Sequence, residues 1–371
     1  MGIANGSISC RMFYLPVCLP ENWVECLAAN AAPEIESLEQ DAIGGWVTTR
    51  HLLDRNITEE SVTFGEHGMF VLMSAARKIP SALLQANCRI EEAAEIAASP
   101  SGYITKIRKM EIRKAVSERL LPEMPPTLGG LAIIVNPESG HMFATGISYS
   151  NICAIRAAFL GTFPGVDVVE VTAATAALQR HHILARDLAP TTFVDGPPEM
   201  LFADNLGPEF LTWLWYIMSE SGGMVGVEGC SIAISLDGPL TLVHDGDEGA
   251  FEVVVKHGKP TLSGEAVAAM RAGKRLSSAK LTLARGDEIC SAMFDASEFI
   301  FRSLKLPRSD EFTMVEKACE RINMLEDFFS RFLLVFDRFI TQRAKPKLWK
   351  PVEKAITQWI ADGCGTGKGQ V

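Results

Sequence analysis

Residues 76–122 are patterned as helix, yet they stand between two stretches that read as β-structure. Before them, Gly68–Ala75 ("GMFVLMSA") has strand composition; after them, Leu131–Gly146 ("LAIIVNPESGHMFATG") reads as a hairpin turning at Asn136–Gly140. The run Arg77-Lys78-Ile79-Pro80 breaks the first strand, and Ser81 is placed to cap a helix running to about Ser99. Pro100-Ser101-Gly102 ends that helix, and Ile104–Pro122 ("ITKIRKMEIRKAVSERLLP") supplies a second one, stopped by its proline. The expected class is therefore α+β: antiparallel or mixed sheets with packed helices, and an αα-hairpin inserted between β regions.

The rest of the chain fits that class. Ile8–Leu15 reads as a strand, Glu21–Ala32 as a helix, and "GGWV" at Gly44–Val47 as a strand. A helix at Asn151–Leu160 and the strand Val166–Val171 complete an α/β unit. Gly207-Pro208 opens a helix through Ser219, closed by Gly222-Gly223. Ser231–Lys256 reads as three strands joined at Asp237-Gly238 and Asp245–Gly249. Ser263 starts a helix ending at Gly273, and "KLTLARGDEICSAMF" is a hairpin. A long Phe-rich helix spans Asp310–Gln342; the spacer "KPKLWKP" then separates it from a last helix, and the tail "GTGKGQV" reads as disordered.

Charge is unevenly spread. The chain is formally −10, but Val71–Leu120 holds nine Lys/Arg against five acids and Val253–Arg308 ten against five, leaving −19 for the remainder. Two basic regions in an acidic frame suit a polyanion-binding surface with a repelling exterior, although cation-bearing helix faces also serve solubility. At about 100° per residue, Lys106, Lys109 and Arg113 share one narrow helix face, with Ile104, Ile107 and Ala115 on the other side to pack on the first helix. Such a row can track a phosphate backbone, which confers salt-sensitive affinity without sequence preference.

Other signatures point away from catalysis. No GxSxG, HExxH or GxGxxG motif occurs, and "DGCGTGKG" has Asp362 in place of the first P-loop glycine and Gly369 in place of the Ser/Thr. "HDGDEG" at His244–Gly249 reads as a turn, since Ala250 stands where a calcium loop needs glycine. His181 and His182 are adjacent and diverge on a helix. Trp213 and Trp215 lie on a helix apolar all round, the pattern of core and not of a base-stacking platform. Nine scattered cysteines without a CxxC pair favour a reducing compartment. Neither a signal peptide, a myristoylation signal nor an apolar run of membrane-spanning length is legible, so a soluble cytoplasmic protein without cofactor or metal is expected.

The order of these segments resembles the bacterial recombination-associated protein RdgC family. The resemblance rests on "GGWV", "GMFVLMSAARKIPSALLQ", the charged hairpin ending in "RLLP", and "LAIIVNPESGHMFATG". It continues through "RAAFLGTFPGVDVVEV", "SGEAVAAMRAGKRLSSAKLTL" and "LEDFFSRFLLVFDRFI", collinearly from about residue 8 to 340. It implies a non-catalytic protein that binds duplex DNA as a ring-shaped homodimer, restrains RecA-dependent recombination by competing for DNA, and associates with the nucleoid. The hairpin would be the tip that helps close the ring.

Position by position, the resemblance implies DNA contacts at Arg77 and Lys78 of "ARKIP" and in the tip helix at Lys106, Arg108 and Lys109, to which the basic patch itself adds Arg113 and Lys114. Lys256 and Lys259 lie near the family's basic residues ahead of "SGEAVAAMRAGK", whose end carries Lys274 and Arg275. Met124 occupies the place of an aromatic finger, keeping apolar bulk without a ring to stack. The implied organisation is a central domain (residues 1–75 with 123–195), a tip (76–122), a base domain (196–342) and an extension (343–371). The alternatives are an adaptor working through the Phe-rich helix and, less favoured, a DNA-processing exonuclease.

Overall fold

The computed structural model describes residues 6–35, 42–99, 102–189, 191, 193–194, 206–227, 230–244, 251–308 and 313–365. In chain order the elements are β1 (Ile8–Tyr14), α1 (Trp23–Ala29), β2 (Ile43–Val47), α2 (Glu59–Val62), β3 (Thr63–Phe64) and β4 (His67–Arg77). Next come α3 (Ser81–Ala98), α4 (Lys106–Leu120), β5 (Pro126–Val135), β6 (His141–Ala144), α5 (Tyr149–Thr162), β7 (Val169–Glu170) and α6 (Ala173–His181). The C-terminal half holds α7 (Leu206–Ser221), β8 (Met224–Val227), β9 (Cys230–Val243), β10 (Glu252–Val255), α8 (Gly264–Arg271), β11 (Arg275–Arg285), β12 (Glu288–Asp295), β13 (Ile300–Lys305), α9 (Met314–Arg343) and α10 (Pro346–Ala361).

Among the described residues all thirteen strands belong to one sheet, whose main path runs β10-β9-β11-β12-β13-β1-β6-β5-β4-β2. Its ladders are antiparallel, and the two halves of the chain meet edge to edge where β1 pairs with β13. Alternation sorts the side chains: Ile8, Cys10 and Met12 of β1 enter one core, while Phe13 enters the other. On the first face lie α6 to α10. On the second, α1 and α5 cover only the N-terminal half, where Leu27, Ile152, Ile155 and Phe159 meet Trp46 and Phe70. No helix among the described residues is long and apolar enough to cross a membrane.

Helix α9 ties the halves together. Its thirty residues span roughly 45 Å at 1.5 Å per residue. Thr313 accepts a hydrogen bond from the Glu316 amide and the Glu316 carboxylate accepts one back from the Thr313 amide, which fixes the helix start. Phe329 stacks on Phe143 of β6 at 4.8 Å, Phe332 meets Phe294 and Phe301 of β12 and β13, and Phe339 reaches Trp213. Phe328, Phe329, Phe332, Phe336 and Phe339 are all buried in this core, as are Trp213 and Trp215. The aromatic stripe is thus consumed internally and offers nothing to the adaptor envisaged from the sequence.

Several sequence expectations are corrected. Asp237-Gly238 is no turn: β9 runs straight through it, because residues on both sides pair with β11 and the register shift there is absorbed as a bulge. Glycine is needed at 238 for close approach, since a Cβ would lie 2.3 Å from Pro260 Cγ. "KPKLWKP" is no spacer, for Pro346 is the first residue of α10, a position where its missing N–H costs nothing. Ser81 is itself the first residue of α3 and makes no side-chain cap. Val166–Val171 contributes a strand only at Val169–Glu170, and α6 was not expected. The proposed tail disorder and most of the "HDGDEG" turn lie outside the described residues.

Candidate nucleic-acid interface

The α3–α4 hairpin leaves the sheet where β4 ends and β5 begins, at the Arg77–Pro126 pair. A small core of its own holds it: Cys88 from α3 against Ile112, Val116 and Leu120 from α4, closed by Ile104. These positions recur every four residues on α4, so the buried stripe differs from the one expected. Ile107 is 71% exposed and Ala115 is also exposed, while the packing falls to Ile112 and Val116. The rotation has an electrostatic consequence, because it turns part of the cation-rich surface toward α3.

Four of the six cations on α4 meet acids. Arg108 donates through Nε to both carboxylate oxygens of Glu95 at 2.9 Å and through Nη1 to Glu111 at 2.9 Å. Lys109 stands 3.7 Å from Glu92, Arg119 2.7 Å from Glu91, and Lys114 3.8 Å from Glu118. The Arg108 guanidinium holds the Glu95 carboxyl below the usual glutamate range, and the glutamates raise Arg108 in return. Glu91, Glu92 and Glu95 thus form an acidic row on α3 that clasps the basic row of α4. Lys106 and Arg113 are exposed and make no ion pair among the described residues.

The remaining expected contacts divide. Arg77 is committed to structure, donating to the carbonyls of Pro122 at 2.6 Å and Met124 at 2.7 Å, which staples the end of α4 to β4. Met124 is half-buried beside that staple and is not a projecting finger. Lys78, Lys256 and Lys259 are exposed. Lys274 and Arg275 are half-buried and engaged by neighbouring groups.

A second cationic surface was not anticipated. In the C-terminal half, Leu236, Leu281, Leu283, Ala292 and Phe294 face the helices, and the residues between them face outward with no helix of the described residues over them. Cross-strand register aligns two rows there: Ser235, Thr282, Ser291 and Lys305, then Asp237, Lys280, Met293 and Arg302. Arg302 bonds Asp295 at 3.0 Å; Lys280 and Lys305 have no ion pair among the described residues. Ammonium groups among serine and threonine hydroxyls can contact phosphate oxygens, and the one planar donor fork in the set, Arg302, is engaged by Asp295. The alternation in "RLSSAKLTLAR", with Lys280 and Thr282 out of phase with Leu281 and Leu283, is the signal that could have found it.

One acidic surface lies near the start of the chain. A depression of about 470 Å³ is lined by Glu21, Glu25, Glu59, Glu66 and Glu138, with Trp23 and His67 in its wall. Such a local field repels polyanions. Among the described residues no three His, Cys, Asp or Glu side chains stand close enough to share a metal ion. The chain matches no protein-family model, and no curated protein is significantly similar to it.

Proposed function

We propose that this chain is a non-catalytic, sequence-independent duplex-DNA-binding protein that acts as a ring-shaped homodimer and restrains RecA-dependent recombination. The observation that carries the reading is the gathering of Lys280 and Lys305, neither ion-paired among the described residues, with a row of hydroxyls on the uncovered face of the sheet, beside an Arg302 held by Asp295. Lys106 and Arg113 on α4 add a second, exposed cationic surface. Both are chemically suited to phosphate contact, which carries affinity without sequence information. The collinear resemblance to RdgC supplies the ring and the recombination role.

Self-association has its own support. On α3, Leu83, Ala86, Ile90, Ala93 and Ala97 are spaced alternately three and four residues apart, and all are exposed. Ile90 is 68% exposed, and Ile107 and Met110 of α4 add further exposed apolar surface to the hairpin. A stripe with this spacing packs against another helix.

The test combines solution mass with binding to linear and covalently closed duplexes of identical sequence. A dimer that binds both, with affinity falling steeply as salt rises, supports the proposal. A monomer that binds neither, or binding indifferent to salt, overturns it.

A further inference from the structure

The sheet ends in two edges, and they are treated differently. At β2, the Trp46 amide donates to the Asn30 carbonyl at 3.1 Å and the Trp46 carbonyl accepts from the Ala32 amide at 2.9 Å, so that edge is covered by its own chain. At the other end, among the described residues, β10 pairs only with β9. The Phe251 carbonyl accepts from the His244 amide at 2.9 Å. Ladder alternation then directs the backbone groups of Phe251, Val253 and Val255 toward β9 and those of Glu252, Val254 and Lys256 outward. Among the described residues nothing bonds these outward groups. An open edge of this kind is a template for another strand.

We infer that β10 pairs antiparallel with β10 of a second copy of this chain, continuing the sheet across a two-fold axis at Val254. The sequence of the edge, Glu252-Val253-Val254-Val255-Lys256, is self-complementary in that register. Val254 faces its own copy, Val253 faces Val255, and Glu252 faces Lys256 of the second copy, twice by symmetry. The register is also the one the backbone allows, because Glu252, Val254 and Lys256 are the residues with outward N–H and C=O groups. About six hydrogen bonds form across the axis in this arrangement. Val253 and Val255 pack on the large core, which places Glu252, Val254 and Lys256 together on the uncovered face. Val254, 41% exposed, and Phe251, 65% exposed, supply apolar area for the contact.

Other registers are worse. A shift by one residue opposes inward-directed groups to outward ones, and a shift by two sets Glu252 against Val254 and leaves a lysine without its acid. A single short strand pair buries less than the roughly 1,200 Å² typical of a stable interface. A second contact is therefore required, and the exposed hairpin stripe leaves the sheet at β4 and β5, toward the opposite end of the strand order. The inference deepens the self-association part of the proposed function and does not depend on DNA.

Sedimentation equilibrium on the full chain tests it. The wild type is expected to dimerise, and Glu252→Lys or Lys256→Glu alone to weaken association about tenfold by setting like charges opposite one another. The combined exchange, Glu252→Lys with Lys256→Glu, restores the pairing and is expected to return association to within about threefold of wild type, the coupling a double-mutant cycle reads. Val254→Arg, which places two guanidinium groups at the axis, is expected to abolish it. Circular dichroism and thermal unfolding confirm that these exposed substitutions leave the fold intact. A dimer unmoved by both single reversals and by Val254→Arg, or a wild type that stays monomeric at the highest reachable concentration, overturns the inference. If the variants behave as expected but the protein ignores DNA, only the DNA reading falls. If DNA binding is intact and dimerisation ignores β10, only this inference falls.

Discussion

Replacing Glu91, Glu92 and Glu95 together by glutamine removes the acidic row of α3 while keeping side-chain size. In the wild-type hairpin a phosphate approaching Arg108, Lys109 or Arg119 meets a cation already paired with a carboxylate. On α4, among the described residues, only Lys106 and Arg113 are cations without an ion pair, so their contribution to the slope of log K against log salt is about −0.9 each, or roughly −2 per protomer. The triple substitution frees Lys109 and Arg119 outright, while Arg108 keeps Glu111. Two added contacts move the slope to about −4 and raise affinity by roughly sixtyfold at 0.1 M salt. Fluorescence anisotropy on a short duplex across a salt series measures both quantities. The hairpin itself is expected to survive, because exposed ion pairs contribute little to stability and its core of Ile112, Val116 and Leu120 is untouched. A triple variant that binds no tighter than wild type, with an unchanged slope and intact helicity, refutes the idea that α4 faces phosphate.

Four further outcomes are expected. Lys106→Glu with Arg113→Glu weakens duplex binding on every sequence alike and removes the corresponding part of the salt slope, while thermal unfolding is unchanged; anisotropy and calorimetry check this. Arg343→Met destabilises the fold by about 3–5 kcal/mol in urea titration, because Arg343 bonds Glu209 at 2.7 Å in the core and its loss strands a buried carboxylate. Phe336→Ala costs about 3–5 kcal/mol in the same assay, whereas Ile90→Ala leaves the stability of the monomer nearly unchanged because that side chain is exposed. The last concerns acid. Glu95 is held below its ordinary value of 4.5 by its hydrogen bonds from Arg108. Its stabilisation of the clasp is therefore present above that value and lost as the pH falls through the lower folded-state value. Limited proteolysis of the hairpin between neutral and acidic pH reads this loss, which Glu95→Gln is expected to blunt.

The sequence by itself determined the elements whose signals are local. Pro80 and Pro122 bound the hairpin; the apolar repeat of Phe328 to Phe339 defines α9, and the all-round apolar pattern of Phe210–Met218 puts Trp213 and Trp215 in the core. Those signals survive because periodicity and proline act within a few residues of themselves. What only the tertiary structure decided depends on which surfaces meet. Counting cations on α4 gave six, but pairing across the hairpin neutralised three, since antiparallel packing sets Glu91, Glu92 and Glu95 opposite residues far along the chain, and Lys114 meets Glu118 one turn on within α4. The packed stripe on α4 came out rotated, because Ile112 and Val116 join Cys88 in the hairpin core while Ile107 is left exposed. Lys280 and Lys305 became one surface only when register aligned β11, β12 and β13 and no helix was laid over them. Likewise the edge at β10 exists because the strand order ends there. An amino-acid sequence states what each residue can do within a turn or two of itself; which charges remain unpaired and which backbone groups remain open is settled by the neighbours that folding supplies.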